Sequence, residues 1–135
     1  MEIELPNIDE QYRRVFAEGV EKGCQQLREN LNAPTVVCGI PSPNEAHLKA
    51  ESEGFEAPPA DLVDAWFSHF KETFPEYNTD LKLGRLLGLS GGAADRRIRS
   101  FRKGEQVVPY GIWRRFLVIT GRVNQEIIPV IAFVR

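Results

Sequence analysis

The chain has 135 residues, 42% hydrophobic and 27% charged, a balance that fits one globular domain able to hide roughly two-thirds of its unfolded surface. It is too apolar for wholesale disorder, and no apolar run has the length of a membrane span. The formal net charge of −2 hides a segregation: residues 1–80 carry sixteen acids and six bases, whereas residues 81–115 carry nine bases against Asp95 and Glu105. A basic block inside an acidic chain marks a surface turned toward a polyanion; the competing reading is a solvated face offset by the chain's own acids.

The first six residues, Met1-Glu2-Ile3-Glu4-Leu5-Pro6, put acids where a signal peptide would have bases, so the expected location is the cytoplasm and no membrane partner is expected. In that reducing compartment Cys24 and Cys38 are expected to be free thiols. The imidazoles are His47 and His69, and there is no C-x-x-C pair, so a zinc site is short of ligands. No cofactor or metal is expected.

Four segments follow in chain order. Residues 1–33 form an acidic helical arm in which Tyr12, Phe16, Val20, Cys24, Leu27 and Leu31 make one apolar stripe over residues 9–32. Gly19 and Gly23 cost that helix roughly 1 kcal/mol each relative to Ala, so it is expected to depend on packing, against the same chain or a second copy. Residues 34–58 hold Pro34, Pro41, Pro43 and Pro58 and break every useful helical period, so they read as a linker or wrapping segment. Within it, residues 35–40 have β-branched character and could form one short strand.

From Pro59 the helical period resumes, with Leu62, Val63, Trp66, Phe67, Phe70 and Phe74 on one face and Pro75 closing the helix. The aromatic spacing points to core, and His69 falls at the edge of that stripe. Thr79 or Asp80 can cap a short second helix through Leu87, with Gly88 as its stop. Leu89 is an apolar plug, and Ser90 can cap a third helix running to Lys103 before Gly104. Gly84 sits where the second helix must cross the third closely.

The run Leu83-Gly84-Arg85-Leu86-Leu87-Gly88-Leu89-Ser90 resembles the helix-turn region of the lambda-repressor-like (Cro/XRE-type) DNA-binding family. In that family a small residue, a glycine four places later, an apolar residue and a polar cap follow in this order. The resemblance covers residues 60–121 and implies a mainly α fold with a four-helix DNA-binding unit over 59–121. It also implies a prokaryotic or phage-like transcriptional regulator acting as a homodimer on two half-sites. One departure is that Gly88 and Gly104 lie sixteen apart, about one turn more than the family's spacing.

The third helix can be read from its residues alone. At 100° per residue Ala94, Ile98 and Phe101 share one face, while Arg96, Arg99, Ser100 and Lys103 share the opposite one. The first face is core. The second has the character needed to read base edges, since guanidinium pairs with guanine O6 and N7. Lys82, Arg85, Ser90, Gly92, Arg97 and Arg102 are expected to contact phosphates and so position the helix. A fourth helix opens at Pro109, carries Trp113, Phe116, Leu117 and Thr120, and closes at Gly121, with Arg114 and Arg115 extending the positive surface.

Residues 122–135 end in the apolar run 127–134, which can be a short helix or a strand paired with residues 35–40. Its greasiness calls for a core contact or a dimer partner. The acidic arm is the other candidate for the dimer contact, or for a protein partner. An enzyme is not expected: Gly88-Leu89-Ser90-Gly91-Gly92 satisfies G-x-S-x-G, but a Leu-rich helical segment precedes it and no histidine follows His69. RNA is disfavoured because the basic face lacks interleaved aromatics. The remaining alternative is a protein-interaction module in which Arg96, Arg99 and Lys103 meet an acidic partner.

Overall fold

The computed structural model describes residues 7–135, so the first six residues of the expected arm lie outside it. The architecture is mainly helical, and no strand occurs among the described residues. Residues up to Val37 and residues from Cys38 onward form two separate compact units.

The first unit is one long helix, α1, over Ile8–Asn30. Asn7 caps it by accepting the Glu10 amide at 2.8 Å, and Asp9 and Glu10 in its first turn with Arg28 in its last complement the helix dipole. None of its side chains is buried; Val20 is 48% exposed and Leu31 85%. The stripe expected from the sequence is present on a helix.

The second unit contains α2 (Ala60–Thr73), α3 (Asp80–Leu86), α4 (Ala94–Lys103) and α5 (Tyr110–Ile119). Their apolar faces meet in one core: Leu62, Val63, Trp66, Phe67 and Phe70 from α2, Leu83 from α3, Ala94, Ile98 and Phe101 from α4, and Trp113, Phe116 and Leu117 from α5. Each large side chain so buried contributes on the order of 2 kcal/mol. Phe74 closes α2 with its amide on the Phe70 carbonyl at 3.0 Å, and Pro75 begins a separate 3-10 turn, Pro75–Tyr77. Of the two expected caps for α3, Thr79 holds the position and accepts the Lys82 amide at 3.2 Å.

The start of α4 differs from expectation. Ser90 does not cap it; Ala93 is the N-cap, and the connection from α3 runs over residues 87–93. Gly88 and Gly91 both hold positive φ, 93° and 81°, a region costly for residues with a Cβ and incompatible with a continuing right-handed helix. Gly91 therefore delays helix formation by about one turn, which accounts for the long spacing between Gly88 and Gly104. Leu89 does plug the junction: it is 7% exposed, and its amide reaches the Gly84 carbonyl at 2.9 Å. Gly84 is the close-approach point, since a Cβ there would lie 3.1 Å from the Ala94 carbonyl oxygen and 3.2 Å from both Ala94 Cβ and Ile98 Cγ1.

Residues 38–58 wrap onto this core instead of linking it. Cys38, Ile40, Leu48 and Phe55 pack against it, and two 3-10 turns, Ala46–Leu48 and Glu51–Glu53, carry the backbone across. Residues 35–40 form no strand, and residues 122–135 form neither helix nor strand. Prolines 34 and 41 bound the first segment, and Pro129 interrupts the second and removes a ladder donor from it. The apolar tail is open to solvent, with Ile131 fully exposed and Val134 90% exposed.

Candidate nucleic-acid interface

The nine bases of residues 81–115 divide by what they touch. Arg102 lies between helices: its Nε is 2.8 Å from Asp64 Oδ1 and its Nη1 is 2.8 Å from Asp80 Oδ2, while Lys71 Nζ reaches Asp80 Oδ1 at 2.7 Å. This network ties α2, α3 and α4 together. Burial opposes the Arg102 charge, but Asp64 and Asp80 outweigh it and hold the guanidinium pKa above its ordinary value. Arg102, expected from the sequence to contact phosphate, is a clamp in the fold. The open cleft of about 540 Å³ beside it, lined by Ser68, Lys71, Glu72 and Asn78, has its cations already matched to Asp80.

Arg114 and Arg115 are likewise turned to the backbone. Arg114 donates to the Leu48 carbonyl at 3.1 Å and the Asn124 carbonyl at 3.2 Å. Arg115 Nε donates to the Leu86 carbonyl at 2.9 Å, satisfying the C-terminal end of α3. Arg114 is half-buried by these contacts, whereas Arg115 stays exposed and extends the positive surface as expected.

Besides Arg115, six bases are exposed: Lys82 and Arg85 on α3, and Arg96, Arg97, Arg99 and Lys103 on α4. Arg99 pairs with Asp95 at 3.2 Å, an exposed i,i+4 bridge worth about 0.3–0.5 kcal/mol and easily exchanged. Arg97 leans over Phe101 at 5.7 Å, and Lys82 Nζ donates to Asn78 at 3.2 Å. None of Lys82, Arg85, Arg96, Arg97 or Lys103 makes an ion pair among the described residues. Ser100 is half-buried and donates to Glu105 Oε2 at 3.4 Å, which places a carboxylate beside the expected base-reading face. Ser90 and Gly92 are exposed in the connection that precedes α4.

Arg96, Arg99 and Lys103 follow the spacing i, i+3, i+7 and so form one ridge. Behind it Ala94 and Ile98 are fully buried and Phe101 is 2% exposed, which fixes the helix so that the ridge faces outward. A rigid helix carrying long cations on its outer face can enter a groove and donate to base edges or phosphates.

Sequence periodicity missed a polar cluster on the other side of the core. His47 is 1% exposed, with its ring edge-on to Trp66 and Trp113 at centroid distances of 5.4 and 5.7 Å. Trp113 Nε1 donates to His47 Nδ1 at 3.2 Å, and His47 Nε2 lies 2.6 Å from Ser42 Oγ. Nδ1 is therefore the bare nitrogen and Nε2 carries the proton, which it donates to Ser42. Ser42 in turn donates to the Asn44 carbonyl. In this arrangement the imidazole has no lone pair for the Ser42 proton, so the pair is no nucleophile and base. Arg122 lies over the Trp66 ring at 3.9 Å, and burial lowers its pKa, opposed by Cys38.

No helix among the described residues is long and apolar enough to cross a membrane. The chain matches no protein-family model, and comparison with curated proteins and with solved structures gave no significant match.

Proposed function

We propose that this protein binds double-stranded DNA sequence-specifically, with α3 and α4 as a helix-turn-helix pair and α4 as the helix that enters the major groove. The observation that carries the reading is the division of α4 into a fully buried stripe and an exposed cationic ridge, Arg96, Arg99 and Lys103. Arg96, Arg99 and Lys103 read base edges, with Ser100 at the margin. Lys82, Arg85 and Arg97 hold phosphates, and the exposed Ser90-to-Gly92 segment lets a phosphate approach the backbone. The role is that of a cytoplasmic transcriptional regulator of prokaryotic or phage type. It works as a homodimer, with the α1 stripe as the contact, so that two copies of α4 meet two half-sites.

The same exposed ridge, Arg96, Arg99 and Lys103, also admits a second reading, in which these cations receive an acidic protein; Asp95 and Glu105 beside it oppose either polyanion. One experiment separates the two. Selection from a random duplex library, followed by competition with single-stranded DNA and with an acidic polypeptide, should enrich a duplex motif that neither competitor displaces at equal charge. Failure to enrich any motif, with the polypeptide competing as well as duplex, would overturn the DNA reading.

A further inference from the structure

Among the described residues His47 is the one polar or charged side chain buried in the core, and it sits on the segment that wraps the domain. That segment is held by few polar ties: Trp66 Nε1 on the Ile40 carbonyl at 3.2 Å, Trp113 Nε1 on His47 Nδ1 at 3.2 Å, and Arg114 on the Leu48 carbonyl. Its regular structure is limited to two 3-10 turns. Phe67, Phe70, Phe116, Leu83 and Ile98 form a core among α2 to α5 without it.

A second proton on the imidazole is opposed by geometry. With Nδ1 protonated, two N–H donors face each other where Trp113 now donates. The neighbours offer no anion in compensation. The segment itself presents Ser42 and the Asn44 carbonyl, with Glu45 and Lys49 exposed to solvent. α2 presents Trp66, α5 presents Trp113 and Arg114, and beyond α5 comes Arg122, with the Cys38 thiol beside it. The charged group that acts on the ring is a cation, Arg122, whose guanidinium lies over Trp66, itself stacked on Trp113 at 5.8 Å.

We propose that residues 38–56 are an acid-released strap: a proton on His47 breaks its bond to Trp113 and frees the segment from α2 and α5 while the α2–α5 core stays folded. The direction follows from linkage. Burial lowers the pKa of docked His47, the Asn44 carbonyl pulls it up, and Arg122 pushes it further down. The released strap titrates near the ordinary value of about 6.5. The docked state is therefore fully favoured above that pH, and docking weakens as pH falls below it, by up to about tenfold per pH unit until the docked imidazole itself protonates.

The test is hydrogen exchange of the full-length chain between pH 7.5 and 4.5, corrected for intrinsic rates, with far-UV circular dichroism alongside. The expected result is amides of residues 38–56 opening up to tenfold more per unit of acidification below about pH 6.5, while amides of α2 to α5 and the helical signal stay constant. His47→Gln, whose amide can accept from Trp113 and donate to Ser42 without titrating, should abolish the response; His69→Gln should retain it. Opening of residues 38–56 in step with α2 to α5, opening independent of pH, or an unchanged response in His47→Gln would each overturn the proposal. Should His47→Gln fail to fold, the exchange pattern of the parent and of His69→Gln decides alone.

Discussion

Gly84→Ala adds one methyl group at the α3–α4 junction, and two opposing effects of known size set its outcome. In an unobstructed helix the change should stabilise by up to about 1 kcal/mol. Here the new Cβ would meet the Ala94 carbonyl oxygen at 3.1 Å and the Ala94 Cβ and Ile98 Cγ1 at 3.2 Å. Two of these atoms belong to or adjoin the α4 backbone, and both residues are fully buried, so neither can retreat unless the helix moves. Arg102 further resists that movement by tying α4 to Asp64 and Asp80. Overpacking a close-packed site costs about 1–3 kcal/mol, which leaves a net loss of up to about 2 kcal/mol. Urea denaturation and thermal melting measure it, with about 5 °C expected for each kcal/mol. Gly111→Ala is the control: nothing lies within 4 Å of its added Cβ, so it should stabilise by up to about 1 kcal/mol. If Gly84→Ala melts at or above the parent temperature, the close crossing of α3 and α4 is not there.

Three further outcomes follow from the geometry. Arg102→Ala leaves Asp64 unpaired and Asp80 with Lys71 alone, so it should cost about 1–2 kcal/mol of stability, below the value for a fully buried pair because the network is part-exposed. Duplex affinity at temperatures where the variant is folded should be unchanged; a uniform loss of affinity with normal stability would make Arg102 a phosphate contact after all. Ile98→Ala opens a cavity under α4 and should cost roughly 2–5 kcal/mol of folding stability, read by denaturation, with DNA binding lost only through unfolding. Light scattering of the full chain should report a dimer that Val20→Glu with Leu27→Glu converts to monomer, and an unchanged mass would remove α1 as the contact.

What the sequence discloses and what it hides follow from the range of the interactions involved. The apolar faces of α2, α4 and α5 are legible because Phe67 and Phe70, Ala94 and Ile98, and Trp113 and Phe116 recur at helical spacing, and that spacing alone decides which side is buried. The crossing at Gly84 is legible because a small residue just before a glycine stop has few other uses. The start of α4 is not, since Ser90 has the chemistry of a cap but Gly91 takes a left-handed φ that periodicity does not report. The burial of His47 is equally hidden: its partner Trp113 is sixty-six residues away, and the prolines around it erase any period. The basic block shows the same limit, because charge counting treats Arg102 and Arg114 as surface although each is half-buried and committed to a distant carboxylate or carbonyl. What survives that subtraction is a narrower patch centred on Arg96, Arg99 and Lys103.

The most direct test of that patch is equilibrium titration of Arg99→Ala and Lys82→Ala against a selected duplex and a random one, across salt concentration and with melts as a folding check. Arg99→Ala should lose about 1–3 kcal/mol on the selected duplex and less on the random one, because it removes a base-edge donor. Lys82→Ala should weaken both duplexes about equally and reduce the salt slope by about one unit. A folded Arg99→Ala variant that binds the selected duplex as tightly as the parent would contradict the assignment of α4 as the reading helix.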